Sequence, residues 1–217
     1  MRIGILGTGI VGQTLGTHWL GLGHEVGLGS RTSGNPEGQR WATGASGPAT
    51  CGSFQDVAAG AELIVNATPG QVSLSALEQA RAHLGGKVIL DVANALDFSN
   101  GFPPALAVGT NDSLAEQIQR AFPDACVVKS LNTMPVEIMV APQAVGDGEH
   151  DVFVSGDDAA AKQVVIDLLL TTGWHNDRIT DLGPLSTARA AELLLPLWLS
   201  VMQHSGSRLV TFSVVKA

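Results

Sequence analysis

The chain has 217 residues, 45% of them hydrophobic and 15% charged, which suits one globular domain or one domain with a small appendage. Its formal net charge of −8 argues against nucleic acid or an anionic membrane as partner, since both need a basic face. Two cysteines, Cys51 and Cys126, are too few for a disulfide framework or a zinc site, and no two histidines stand at metal-ligand spacing, so no metal is expected.

Residues 2–6 read as a buried strand, and Gly7, Thr8, Gly9, Ile10, Val11 and Gly12 follow it as a GxGxxG fingerprint. Gly7 permits the tight turn, Gly9 lets the backbone approach a pyrophosphate, and Gly12 allows close helix–strand packing. Val11, Leu15, Trp19 and Leu22 continue at helical spacing, so the helix amino terminus would face the phosphates. A second strand over 25–28 leads to Ser30, Arg31 and Thr32, where an NAD site would place Asp or Glu for the ribose 2′-hydroxyl. A guanidinium pairs instead with a 2′-phosphate, so the expected cofactor is NADP(H).

Strand and helix signals then alternate to about residue 180, the pattern of a Rossmann-type doubly wound parallel α/β sheet with helices on both faces. A weak helix over 37–43, a short strand over 49–52, a helix capped by Ser53 and a strand over 62–67 come first. A helix over 72–84 and a strand over 86–91 follow, then a Pro- and Gly-punctuated excursion over 94–111 with no element of its own. The spacing next predicts a helix over 114–122, strands over 125–130 and 151–156, a helix over 159–170 and a last short strand over 174–180. An apolar helix over 185–204, broken at Pro196, closes the chain and is too short and interrupted to span a bilayer. The Pro, Gly and Asp cluster over 142–148 divides an NADP-binding domain, 1–145, from a small carboxy-terminal α/β domain, 146–217, that holds the acceptor site and a dimer interface. Met1 runs straight into the first strand without a secretory leader, so a cytoplasmic location is expected.

Ligands of open α/β sheets sit outside the carboxyl ends of the strands. That rule selects residues 8–11, 30–32, 68–70, 92–94 and 131–135. These are small or polar groups with no nucleophile–base pair. Such a site suits chemistry carried by a cofactor, with the protein orienting two rings; hydride transfer fits. Asp91 ends a strand without an identifiable His or Lys partner, so a hydrogen-bonding role is expected of it.

On these residues the chain resembles the NADPH-dependent reductases of the deazaflavin coenzyme F420, the F420H2:NADP oxidoreductase family. Its dinucleotide module also resembles the reductase domain of the Steap metalloreductases. The matching pieces are residues 7–12, residues 23–26 leading into 29–31, residues 127–135, residues 156–158, and residues 181–186 with Arg189 beyond. The resemblance implies that Thr8, Ile10 and Val11 contact the pyrophosphate and that Ser30 and Arg31, with Thr32, hold the 2′-phosphate. It places Thr68 and Pro69 beside the nicotinamide, and Asn132, Thr133 and Met134 as the shelf between the two rings. Asn132 and Thr133 would then be the catalytic residues, with Asn94 among the cofactor contacts. Asn132 is like the metalloreductase domains and unlike the His of archaeal members. Gly206, with Gln203 and Ser205 nearby, would match the glycine that lies near the deazaflavin.

The expected activity is hydride transfer between NADP(H) and a flat ring, most readily coenzyme F420. Two alternatives stand beside it: a reductase of another small acceptor (flavin, imine or hydroxyacid) and a non-catalytic NADP(H)-sensing module. The apolar surface around residues 193–202 exceeds what one small domain covers, which predicts a homodimer.

Overall fold

The structure, a computed structural model, describes residues 1–215. Its elements in chain order are β1 (Arg2–Leu6), α1 (Ile10–Gly21), β2 (Glu25–Ser30), α2 (Pro36–Gly44), β3 (Ala49–Ser53), α3 (Phe54–Gly60), β4 (Leu63–Asn66) and α4 (Gly70–Ala80). There follow β5 (Val88–Asp91), β6 (Leu96–Asp97), β7 (Ala105–Leu106), α5 (Leu114–Ala121), β8 (Cys126–Ser130), α6 (Val136–Val140), β9 (Val152–Gly156), α7 (Ala159–Thr172), β10 (Ile179–Gly183), α8 (Ala188–Leu193) and α9 (Leu195–Ser205).

Eight strands form one sheet in the order β10-β9-β8-β5-β4-β1-β2-β3. From β3 to β8 every pairing is parallel, so strands such as Ile3-Gly4-Ile5-Leu6 and Leu63-Ile64-Val65 are covered on both faces and read as continuous apolar runs. Helices α1, α6 and α7 bury Leu15, Trp19, Ile138 and Val165 on one face, while α3, α4 and α5 bury Phe54, Leu77 and Ile118 on the other. The order reverses between β1 and β4, which opens a crevice at their carboxyl ends.

The far edge departs from the expected pattern. β9 runs antiparallel to β8, so the sheet is mostly rather than wholly parallel. The last strand occupies Ile179–Gly183, later than the expected 174–180. Trp174 is instead a buried anchor whose indole N–H donates to the Met139 carbonyl at 3.2 Å, and residues 176–178 make a single 3-10 turn. The excursion over 94–111 holds a small antiparallel hairpin, β6 with β7, that separate apolar residues did not announce. The closing helix splits at Leu194 into α8 and α9, because Pro196 has no N–H and takes a first-turn position of α9. Two 3-10 turns, Pro142–Ala144 and Gly146–Gly148, occupy the expected domain division, and β9 and β10 beyond them extend the same sheet.

Candidate functional site

At the carboxyl ends of β1, β2, β4 and β5 lies a groove of about 1350 Å³. Gly7, Thr8, Gly9, Ile10 and Val11 form its floor, between β1 and α1. Gly7 has φ +128°, and a β-carbon there would meet the Ala67 carbonyl oxygen at 2.5 Å; one on Gly12 would collide with the carbonyl of Gly7. A β-carbon on Gly9 would touch nothing within 4 Å, so this backbone faces the open groove. No side chain caps α1 and no acidic residue sits in its first turn, which leaves the positive dipole end to the groove. Gln13 donates to the Thr8 carbonyl at 2.7 Å and steadies the loop. These features fit a pyrophosphate: an open cradle, an uncapped helix end and no competing carboxylate.

One end of the groove lies past β2. Arg31 and Thr32 are exposed there, and Arg31 has no ion-pair partner among the described residues. Ser30 is buried, and its hydroxyl is engaged with the Thr32 backbone, where it braces the turn. Asn35 also lines this end while its side chain accepts from Gly38 N at 2.9 Å to start α2.

The middle is built on a buried polar chain. The Thr68 hydroxyl donates to Asn66 Oδ1 at 2.7 Å and lies 2.9 Å from Ser73 Oγ; Asn66 Nδ2 donates to Asp91 Oδ1 at 2.8 Å. Asp91 then accepts from Lys129 Nζ at 2.8 Å, and Lys129 meets Glu192 Oε1 at 3.0 Å. Glu192 in turn accepts from Leu114 N at 2.9 Å, at the amino terminus of α5. Burial opposes the charge on Lys129, yet the attraction of Asp91 and Glu192 together holds its pKa above the ordinary lysine value. Asp91 therefore has the lysine partner that its sequence neighbourhood did not reveal: Asp91 and Lys129 are register partners on adjacent strands. Arg189, three residues past the 181–186 stretch, pairs with Glu116 at 2.6 Å and links α8 to α5.

Of the expected site residues, Gly7 through Val11, Ser30, Arg31, Thr32, Thr68, Pro69, Asn94 and Met134 line the groove together. Gly12 is buried in the first turn of α1, against Gly7 and Ile5 of the strand side. Asn132 and Thr133 are buried behind the lining. Asn132 Nδ2 donates at 3.1 Å both to Asn94 Oδ1 and to the Ala191 carbonyl, so its reach to the groove runs through Asn94. Leu131, just before it, has φ +63°, a conformation that costs a residue with a β-carbon about 1–3 kcal/mol. Gly206 is the exposed left-handed cap of α9 and does not line the groove. The sequence reading missed Trp198, Met202 and Arg208, which close the groove over Met134 and Val136. Helical spacing and apolar character could have pointed to Trp198 and Met202, whereas Arg208 lies beyond α9 and carries no such signal. Among the described residues no group of three or more His, Cys, Asp or Glu could hold a metal, and no helix is long and apolar enough to cross a membrane.

The family model described as NADP oxidoreductase, coenzyme F420-dependent, matches residues 2–95. A protein from Arthrobacter sp. FB24, described as a candidate F420-dependent NADP-reductase, has a crystal structure that superposes with a TM-score of 0.93; it is 45% identical, with 100% of each chain covered. Rat metalloreductase STEAP3 is 28% identical over 91% of this chain and 38% of its own length. The F420-dependent NADP reductase of Methanocaldococcus jannaschii is 26% identical over 66% of this chain and 63% of its own. The chain thus spans less than two thirds of either of these two relatives, but the whole of the Arthrobacter protein. With that match in full length and fold, the chain belongs to the family of coenzyme F420-dependent NADP oxidoreductases.

Proposed function

We propose that this protein moves a hydride between NADP(H) and the flat ring of coenzyme F420. The observation that carries the reading is the continuity of one groove from Arg31, past the fingerprint, to Met134, Trp198 and Met202. Its volume of about 1350 Å³ exceeds the roughly 300–1,000 Å³ of a pocket for one small ligand, so a dinucleotide and a second ring have room together. In this reading the backbone of Thr8, Ile10 and Val11 binds the pyrophosphate, and Arg31 with Thr32 takes the 2′-phosphate. Thr68, Pro69, Asn94 and Met134 orient the nicotinamide half.

Bound NADPH supplies the hydride. The chain's own residues supply position and exclude water; the groove offers no nucleophile–base pair, so proximity and orientation provide most of the rate. The buried chain from Thr68 to Glu192 fixes the groove wall, because each polar atom in it is already committed to a partner. The coenzyme F420 assignment draws its support from the family match and from what the Arthrobacter and Methanocaldococcus relatives are described as.

A homodimer and a cytoplasmic location belong to the same proposal. Leu193, Leu197 and Val201 are 39%, 52% and 38% exposed along α8 and α9, an apolar strip suited to a second copy. The free thiols Cys51 and Cys126 suit a reducing compartment. The experiment is an anaerobic assay of the purified protein with NADPH and coenzyme F420, followed as loss of the deazaflavin absorbance. Turnover with F420 and none with a free flavin or a cyclic imine supports the assignment. Turnover only with an imine moves the protein to the imine-reducing alternative, and tight NADPH binding with no acceptor turned over moves it to the sensor.

A further inference from the structure

Acidic residues outnumber basic ones 20 to 12 in this chain, yet the groove is lined by two arginines, Arg31 and Arg208, and by no Asp or Glu. The two belong to different ends. Arg31 follows β2, whereas Arg208 is bound to Glu137 of α6, which follows β8. Those strands are separated by β1, β4 and β5, so their ends are about 19 Å apart at the usual strand spacing. The two arginines therefore reach the groove from well-separated strand ends.

Arg208 is placed by a carboxy-terminal strap. Trp198 Nε1 donates to the Val210 carbonyl at 2.7 Å, Asp151 N donates to the Phe212 carbonyl at 2.9 Å, and Val214 N donates to Asp151 Oδ2 at 2.6 Å. Asp151 and His150, which lies 3.3 Å from the Thr211 hydroxyl, are both buried, so the strap is anchored to the body of the domain. It carries the guanidinium to the groove wall beside Trp198 and Met202. There Arg208 meets Glu137 at 3.0 Å in a pair whose side chains are 61% and 44% exposed. A pair that exposed contributes little and exchanges readily for a better-placed anion. A guanidinium also has donors to spare for a second acceptor.

From this geometry we infer that Arg208 is a specificity-determining residue that selects a hydride acceptor carrying an anionic group, a phosphate ester or a carboxylate, beside its ring. The inference rests on reading the groove as a dinucleotide and acceptor site. Glu137 holds the guanidinium in place while the acceptor is absent, and the acceptor's anion takes over part of that pairing.

The test is equilibrium binding of 5-deazariboflavin and its 5′-phosphate to the intact protein, with and without saturating NADP⁺. We expect the phosphate ester to bind at least tenfold more tightly than the neutral ring. R208A should bring that ratio close to one, R208K should keep part of it, and E137Q should raise it. A ratio near one in the unmutated protein, or one unchanged by R208A, overturns the inference, as does failure of the ester to bind. Weaker NADP⁺ binding in R208A with the ester preference intact assigns Arg208 to the dinucleotide and also overturns it. An Arg208-dependent ester preference in a protein that does not bind NADP⁺ upholds the inference while the NADP(H) reading falls.

Discussion

Asn94 and Asn132 hold each other by two reciprocal hydrogen bonds: Asn94 Nδ2 donates to the Asn132 carbonyl at 2.8 Å, and Asn132 Nδ2 donates to Asn94 Oδ1 at 3.1 Å. Asn94 lines the groove and is half-buried while Asn132 is buried, so Asn132 acts through Asn94. Asn132→Ala should leave Asn94 with one of its two bonds, the one to the main-chain carbonyl, and leave the Ala191 carbonyl without its partner, at about 1–3 kcal/mol of stability. Turnover should fall at least tenfold while the NADPH dissociation constant changes less than threefold. Stopped-flow turnover beside calorimetric NADPH binding checks this; an equal loss in both would place Asn132 in dinucleotide binding.

Arg31 has no carboxylate to give up before it can pair with a phosphate. Arg31→Ala should therefore weaken NADPH binding by about 1.5–3 kcal/mol, the usual worth of a hydrogen bond to a charged group, and leave NADH binding nearly unchanged. Calorimetric titration of both nucleotides against both proteins gives the answer. Equal affinity of the unmutated protein for NADPH and NADH would contradict the assignment.

Lys129 sits between two buried carboxylates, Asp91 and Glu192. Lys129→Met should cost about 3–5 kcal/mol, since both anions lose their counter-charge in the interior. Because the folded pKa of Lys129 is raised above its ordinary 10.5, its contribution is complete below that value and is lost only as pH rises through the folded value. Denaturant midpoints between pH 7 and about 10 should accordingly show no decline from this group. A decline that starts near neutrality and vanishes in the Met variant would contradict the pairing.

Asp112 behaves in the opposite sense. Hydrogen bonds from Arg120, helped by Gln117, hold its carboxyl down to about 2. Its contribution is present above the ordinary 3.8 and is lost as pH falls through about 2. Asp112→Asn should flatten the acid limb of the stability curve in that window, measured by thermal melts. An unchanged acid limb would show that the pair contributes nothing.

The sequence made the parallel half of this fold legible because its signals are local. A glycine fingerprint between a strand and a helix needs no distant residue to be recognised, and the apolar runs of β4, β5 and β8 read as buried strands from their shortness and β-branched content. The antiparallel turn of β9 was not legible, because strand direction depends on how the 3-10 turns over 142–148 route the chain. The site divides in the same way. Arg31 announced itself by standing where an acid was due. Trp198, Met202 and Arg208 lie far from the fingerprint in sequence and reach the groove only when α9 and the strap fold back over α6. Asp91 looked unpartnered because Lys129 meets it through sheet register and Glu192 through helix packing, neither of which local spacing reveals.

Direct hydride transfer from NADPH to a deazaflavin ring can be followed by incubating the protein anaerobically with coenzyme F420 and with NADPH deuterated on one face or the other of nicotinamide C4. Deuterium from one of the two labelled forms, and not from the other, should appear at C5 of the reduced deazaflavin by mass spectrometry. Bound NADPH that passes no label to the deazaflavin from either face would contradict it.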